Sequence, residues 1–275
     1  MFEEIVRIRG VEDGPTSMIL GGVHGNETCG VKVIRKILPT LNVEKGILLI
    51  GYGNPRAIRA NQRFTEANLN RMFKNDDSLS PKEKQSYEYA RAQFLKTYLD
   101  QADALLDIHA SFTPNAPPFL ICENNARGIA DYVPVDLVVS GFDAVEPGGT
   151  DYYMNATGKI GICVECGHLD DPTTNEIAEK SFFAFLKARG HLPNDLSNTK
   201  QSYMRMYDLY LTKTDLFTLA KPFEDFEAVM RDQLIGTDGT KEVRAIKDSV
   251  ILFARNRQQA HDEAFLLGEK TNGLA

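Results

Sequence analysis

Six short apolar runs, at residues 18–20, 47–50, 104–108, 119–122, 137–139 and 160–164, are interleaved with stretches whose apolar side chains recur at helical spacing. That alternation constrains the first three quarters of the chain more than any other feature. Short β-branched and leucine-rich runs read as buried strands, and the segments between them as covering helices. Residues 32–41 form one such helix with Pro39 near its end. Residues 81–99 form a long one with Pro81 in the first turn and no internal glycine, and 177–188 a third. The expected architecture is an α/β sandwich around a mostly parallel or mixed central sheet. Ligands bind at the carboxyl ends of strands in such sheets.

The texture changes after Gly190. Residues 192–199 are rich in Pro, Asn, Asp and Ser and read as a linker. Residues 203–211 then alternate imperfectly, 236–239 read as a turn, and 249–254 as a strand. The expected organisation is a catalytic domain over 1–198 and a small β-rich domain over 199–275, with a loose tail from Gly268. Tyr203, Tyr207 and Tyr210 open the second part as an aromatic stripe.

Composition excludes several classes. Basic residues number 31 against 38 acidic ones, a net charge of −7, with no basic stripe, which disfavours a phosphate-tracking nucleic-acid binder. No run of 18 apolar residues exists, so no membrane span is expected. Met1, Phe2, Glu3 and Glu4 place acid where a signal peptide carries base, so the cytoplasm is the expected location. The four cysteines are too few for a disulfide framework. Cys163 and Cys166 form a C-x-x-C inside an apolar run, with no second pair for a zinc ribbon, and read as buried thiols.

Three constellations carry chemistry. His24 and Glu27 lie in G-G-V-H-G-N-E, directly after a strand and before a helix. A His-x-x-Glu on a tight turn can present imidazole nitrogen and carboxylate oxygen to one zinc ion; the plainer alternative is that His24 caps a turn and His109 is a satisfied buried histidine, and the glycines around the first favour the metal. Asp107 and His109 end the strand of residues 104–108 and share a face, so Asp107 can orient a ligand at His109. The second constellation is cationic: Arg56, Arg59, Arg63 and Arg71 fall within sixteen residues, with Glu66 the sole acid among them. Arginine's planar fork suits carboxylates, so the segment reads as an anion site, while Arg56 and Arg59 alone would read as a solvated loop. The third is Glu165, a carboxylate that closes an apolar strand, either as a functional acid/base or as a surface end.

Together, G-G-V-H-G-N-E, N-P-R-A, N-L-N-R-M-F, D-I-H and V-E-C-G, in this order and spacing, resemble the succinylglutamate desuccinylase/aspartoacylase family, which belongs with the zinc-carboxypeptidase-like hydrolases. The resemblance implies a three-layer α/β sandwich with a mixed central sheet, and one zinc ion on His24, Glu27 and His109, with Glu165 as general base. It also implies that Arg63 polarises the scissile carbonyl, and that Asn70 and Arg71 grip a substrate carboxylate. Two departures concern specificity. The family places a further arginine about ten residues before the general base, where this chain has Asn155, with Lys159 the nearest cation. Family members also carry polar residues after the second histidine, where Ala110, Ser111 and Phe112 stand here. His168 is a possible further contact with the site; His191 and His261 are expected to be exposed.

The resulting expectation is a zinc-dependent hydrolase cleaving the amide of a small carboxylate-bearing N-acyl amino acid, such as an N-acetyl or N-succinyl derivative. A metallocarboxypeptidase, an esterase on the same centre, and a non-catalytic binding protein are the alternatives.

Overall fold

Each expected strand forms, and the glycine-bounded runs lengthen into a sheet that crosses the whole molecule. The computed structural model describes residues 4–274. Residues 1–3 and 275, which the N-terminal and loose-tail readings included, lie outside the described residues. The strands are β1 (Val6–Arg9), β2 (Glu12–Gly21), β3 (Lys45–Tyr52), β4 (Ala104–Ser111), β5 (Phe119–Cys122), β6 (Leu137–Ser140) and β7 (Ile160–His168), then β8 (Ser202–Leu211), β9 (Phe217–Leu219), β10 (Glu227–Val229), β11 (Leu234–Asp238), β12 (Lys241–Arg244), β13 (Ser249–Leu252) and β14 (Glu263–Thr271).

Eleven of them make one sheet in the order β1-β3-β2-β4-β7-β5-β6-β8-β14-β13-β10. The centre, β3-β2-β4-β7, is parallel, and β5 runs antiparallel to β7. The sheet is therefore mixed, as expected. Strands β12-β11-β9 form a small separate antiparallel sheet. The β-rich C-terminal segment thus contributes both this small sheet and four strands that extend the large one, joined to it where β6 pairs with β8.

Side-chain alternation sorts the core into layers. Ile19, Leu106, Ile108, Ile162 and Val164 pack with Val33, Ile34, Phe182 and Phe185 on one face, under the helices Thr28–Ile37 and Thr173–Ala188. Met18, Leu20, Leu49 and Leu105 pack with Ala92, Leu95, Leu99 and Met154 on the other. Asp107 and His109 share the parity of Leu105 and so open on this second face. Among the described residues no helix is long and apolar enough to cross a membrane.

Several local expectations are corrected. The segment 81–99 is two helices, Pro81–Lys84 and Tyr87–Leu99. Ser86 breaks it, because its side chain caps the second helix at Tyr89 N, while Ser80 and Glu83 form a capping box on the first. The helix expected at 32–41 starts at Thr28, immediately after Glu27, and ends in a 3-10 turn, Leu38–Thr40. Gly236 and Asp238 belong to β11, and the turn falls at Gly239. The tail from Gly268 is not loose as far as Thr271: Gly268 pairs with both Met206 and Val250 inside the sheet. His191 is fully buried, its Nδ1 2.8 Å from the Lys45 carbonyl oxygen, which a polar neighbourhood in sequence conceals. His261 is exposed, as expected.

Candidate metal centre and active site

The turn after β2 is built so that two side chains meet. Gly22 sits at φ +71°, a conformation that favours glycine. A Cβ on Gly25 would lie 2.2 Å from the Ala57 carbonyl carbon, so the turn can lie flat against the helix Pro55–Ala60 only without one. Glu27 occupies the N-cap of the following helix but makes no side-chain cap bond. Its carboxylate turns inward instead. Oε1 lies 2.9 Å from His24 Nδ1 and Oε2 lies 2.8 Å from His109 Nδ1.

These three side chains are buried, and one ligand atom from each falls within 4.8 Å of the others. His24 Nδ1 is close to Glu27 but lacks hydrogen-bond alignment, leaving a buried nitrogen without a partner. Its other nitrogen, Nε2, is 3.0 Å from Asn68 Oδ1, which selects the tautomer with the proton on Nε2 and the lone pair on Nδ1. Burial, followed by the charge of Arg63, lowers the His24 pKa to about 4, so the ring is neutral. Burial also works against a charge on His109, but Asp107 and Glu27 outweigh it and raise its pKa well above the usual value. Asp107 Oδ2 lies 3.2 Å from His109 Nε2 and accepts a hydrogen bond from Thr150. Two imidazoles and a carboxylate, each steadied from behind, suit a zinc ion.

Glu165 is brought alongside by register. On the parallel strands β4 and β7, Asp107 pairs with Cys163 and His109 with Glu165. The Glu165 carboxylate is buried, with Oε2 unpartnered. Burial, then the negative charge of Glu27, pushes its pKa up to about 8. Cys163 and Cys166 are buried free thiols, as expected, and Cys163 lines the same cavity.

The arginine segment divides. Arg63 reaches the cavity, donating from Nη1 to Glu27 Oε1 at 2.8 Å. Arg56 instead pairs with Glu66 outside it, at 2.6 Å. Asn70 and Arg71 line the cavity. The Arg71 guanidinium is already engaged: Nη2 lies 2.5 Å from Glu146, Nε and Nη2 donate to Glu263 at 2.7 and 2.8 Å, and Nη1 donates to the Asn70 carbonyl. Two carboxylates on one guanidinium split their titration. Burial raises Glu146 to about 7, whereas Arg71 overrides burial at Glu263 and holds it near 2.

Other residues that the sequence left unassigned hold this arrangement. The buried Glu88 carboxylate accepts from Asn54 Nδ2, from the Thr65 hydroxyl and from the amides of Thr65, Glu66 and Ala67, pinning the arginine loop. Arg91 donates to the carbonyls of Gly53 and Tyr52 at the end of β3. Both lie on the helix face that carries Ala92, Leu95 and Leu99, and charge on an apolar face was the available signal. Glu146, Asp151, Tyr152, Arg255 and Glu263 also line the cavity.

Some expected contributors are elsewhere. His168 accepts from the Asp170 amide and is not among the cavity-lining residues. Asn155 Oδ1 accepts from the Gly161 amide, and Lys159 Nζ donates to the carbonyls of Leu99 and Asp100. Tyr207 bonds Ser249 and Tyr210 bonds Asp238, away from the cavity, and Tyr203 packs against the core.

Comparison with known proteins bears on the family and the fold. Residues 13–188 match the family described as Succinylglutamate desuccinylase/Aspartoacylase catalytic domain. A probable aspartoacylase of Trichodesmium erythraeum is 28% identical over 171 residues, 54% of this chain and 54% of that protein, so the match spans about half of the relative's length. A succinylglutamate desuccinylase of Shewanella sp. is 25% identical over 263 residues, covering 84% of this chain and 75% of that one. The crystal structure of succinylglutamate desuccinylase from Vibrio cholerae superposes with a TM-score of 0.81 at 18% identity, over 98% of this chain and 91% of that one. With the family match covering most of the α/β sandwich and the fold shared across the sheet, the chain belongs to the succinylglutamate desuccinylase/aspartoacylase family of deacylating hydrolases.

Proposed function

We propose that this protein is a zinc-dependent deacylase that cleaves the amide bond of a small N-acyl amino acid, such as an N-acetyl or N-succinyl amino acid. One observation carries the reading: the buried triad of His24, Glu27 and His109 opens into the same cavity as Glu165 and Arg63. One zinc per chain, held by that triad, would supply a water with its pKa lowered from 15.7 towards about 7 and a Lewis acid for the carbonyl oxygen. Glu165 accepts the proton of the attacking water and returns it to the leaving amine. Its buried setting keeps bulk water from competing for that proton. Arg63 spends one N–H on Glu27 and turns the remaining donors of its fork to the developing oxyanion. Asn70 and Arg71, which line the same cavity, bind substrate, with Arg71 fixing Asn70 through its carbonyl.

The catalytic unit is residues 1–198, and the unit over 199–275 closes the cavity with Phe253, Arg255 and Glu263. That closure favours a small substrate over the open groove of a carboxypeptidase. The test is a screen of N-acetyl, N-succinyl and N-formyl amino acids, with ester counterparts, against metal-stripped and zinc-loaded protein. Release of free amine by the zinc-loaded form alone is expected. A zinc-loaded protein that turns over nothing in the panel would leave the binding-protein reading in its place.

A further inference from the structure

Three guanidinium groups face the cavity, and two of them are spoken for by carboxylates of the chain itself. Arg63 donates to Glu27, and Arg71 lies between Glu146 and Glu263. Arg255 is different. Among the described residues no carboxylate lies within ion-pair distance of it; Glu146, Glu263 and Asp225 attract it from farther away, the first two bonded to Arg71 and Asp225 to the Phe253 amide. Its Nε donates to the Phe253 carbonyl at 3.3 Å, a long contact. Its guanidinium carbon stands 4.0 Å from the centre of the Phe112 ring, and that of Arg63 stands 5.5 Å from the same ring.

Stacking on Phe112 fixes the plane of the Arg255 fork while leaving its edge N–H groups for a ligand. The backbone is held as well. Phe253 is in the left-handed region at φ +54°, its amide donates to Asp225 Oδ1 at 3.0 Å, and the Arg255 amide donates to the Ala264 carbonyl at 2.9 Å. No cation enters from the stretch before Glu165, where Asn155 and Lys159 are occupied with backbone groups. Burial, then the charges of Arg257 and Arg63, lowers the Arg255 pKa to about 9, as expected for a cation lacking a counter-ion.

We propose that Arg255, supplied by the C-terminal segment, is the residue that receives the carboxylate of the substrate and sets the preference for acidic acyl-amino acids. This rests on the deacylase reading. The carboxylate belongs either to the amino acid or to a dicarboxylic acyl chain, and a planar fork binds both in the same way.

The experiment uses zinc-loaded full-length protein and two matched pairs of substrates. N-acetyl amino acids are compared with their carboxamides, and an N-succinyl alkylamine with its N-butanoyl counterpart. In the pair whose carboxylate is read, the wild type should favour the acid by about 10- to 100-fold in kcat/KM, the worth of a charged bidentate contact. Arg255→Met should bring that ratio near one by losing the acid while retaining the neutral substrate. Arg255→Lys, which keeps charge but not the fork, should fall between and serves alone if the Met variant does not fold. A preference for the acid that stays at the wild-type ratio in Arg255→Met, or in Arg255→Lys when that variant stands alone, overturns the proposal, as does a wild type with no preference in either pair. If the zinc-loaded wild type hydrolyses none of the four substrates, the deacylase reading fails by itself. Calorimetric binding of succinate then decides for Arg255: binding lost in the variant supports its role, and equal or absent binding overturns it.

Discussion

Glu263 holds Arg71 in a two-point contact across 192 residues of chain, with Nε to Oε1 at 2.7 Å and Nη2 to Oε2 at 2.8 Å. The pair ties the arginine loop of the α/β sandwich to β14, at the far end of the sequence. With Glu146 on the same guanidinium, it makes Arg71 a structural tie as well as a wall of the cavity.

Arg71→Ala should therefore cost stability as well as substrate binding. It leaves two carboxylates facing each other with little solvent. Breaking a buried pair costs about 3–5 kcal/mol, and the lower end applies here because Glu263 is one-third exposed. At about 2–4 °C per kcal/mol, Tm should drop by roughly 6–12 °C. Replacing all three residues by Met, Gln and Gln should restore much of the loss. An Arg71→Ala protein that melts with the wild type would show that the contact is not a tie.

Glu146 gives the trio a pH dependence of determinate sign. Its folded pKa, near 7, is raised above the ordinary 4.5 by burial. The stabilisation linked to its proton is full below pH 4.5 and is lost as pH rises through about 7. Glu263 acts oppositely: its contribution is present above 4.5 and is lost as pH falls towards 2. Glu146→Gln should flatten the fall of Tm between pH 5 and 8. Identical slopes in variant and wild type would mean that Glu146 is already ionised at pH 5.

Metal loading should release protons. Without metal, His109 holds its proton through Asp107 and Glu27, and Glu165 is pushed up to about 8 by burial and by Glu27. A divalent cation on the triad must displace the first, which sits on a ligand, and its charge favours loss of the second. Zinc titration at pH 7 in buffers of different ionisation enthalpy should report about one to two protons per ion. His109→Ala should lose most of the zinc while remaining folded. Full zinc occupancy in that variant would remove His109 from the ligand set.

Glu165→Gln keeps the shape of the side chain but cannot accept a proton from water. Turnover should fall by about 10²–10⁴-fold, with zinc content unchanged and substrate still bound. Retention of more than about a tenth of wild-type turnover would assign the proton to another group. His168, which bonds a backbone amide outside the cavity, is not placed to take it over.

The two halves of the His24, Glu27 and His109 cluster were readable because each signal is local. His24 and Glu27 sit three apart on one glycine-bounded turn, and Asp107 and His109 two apart on one strand, so the spacing alone puts each pair on a common face. Glu165 was legible as a carboxylate closing an apolar strand, and its register beside His109 needed the sheet. Glu88 and Arg91 were not read, because a carboxylate and a guanidinium on a helix look solvated until the loop that they hold is in place. Arg71 shows the same limit from the other side: the resemblance made it a grip for a substrate carboxylate, and only the tertiary structure brings Glu146 and Glu263 of the chain itself onto its guanidinium.

The sequence by itself determined the alternation of strands and helices, the glycine-bounded turn that carries His24 and Glu27, and the resemblance to the family. The first two follow from periodicity and from residues a few positions apart, where backbone geometry fixes the relation; the third rests on the order and spacing of five motifs. Tertiary structure decided which of three arginines is left without a carboxylate, because that depends on Glu27, Glu146 and Glu263 approaching from separate elements. It also decided that the C-terminal strands extend the same sheet and wall the cavity, because pairing between β6 and β8 joins residues that no local pattern connects.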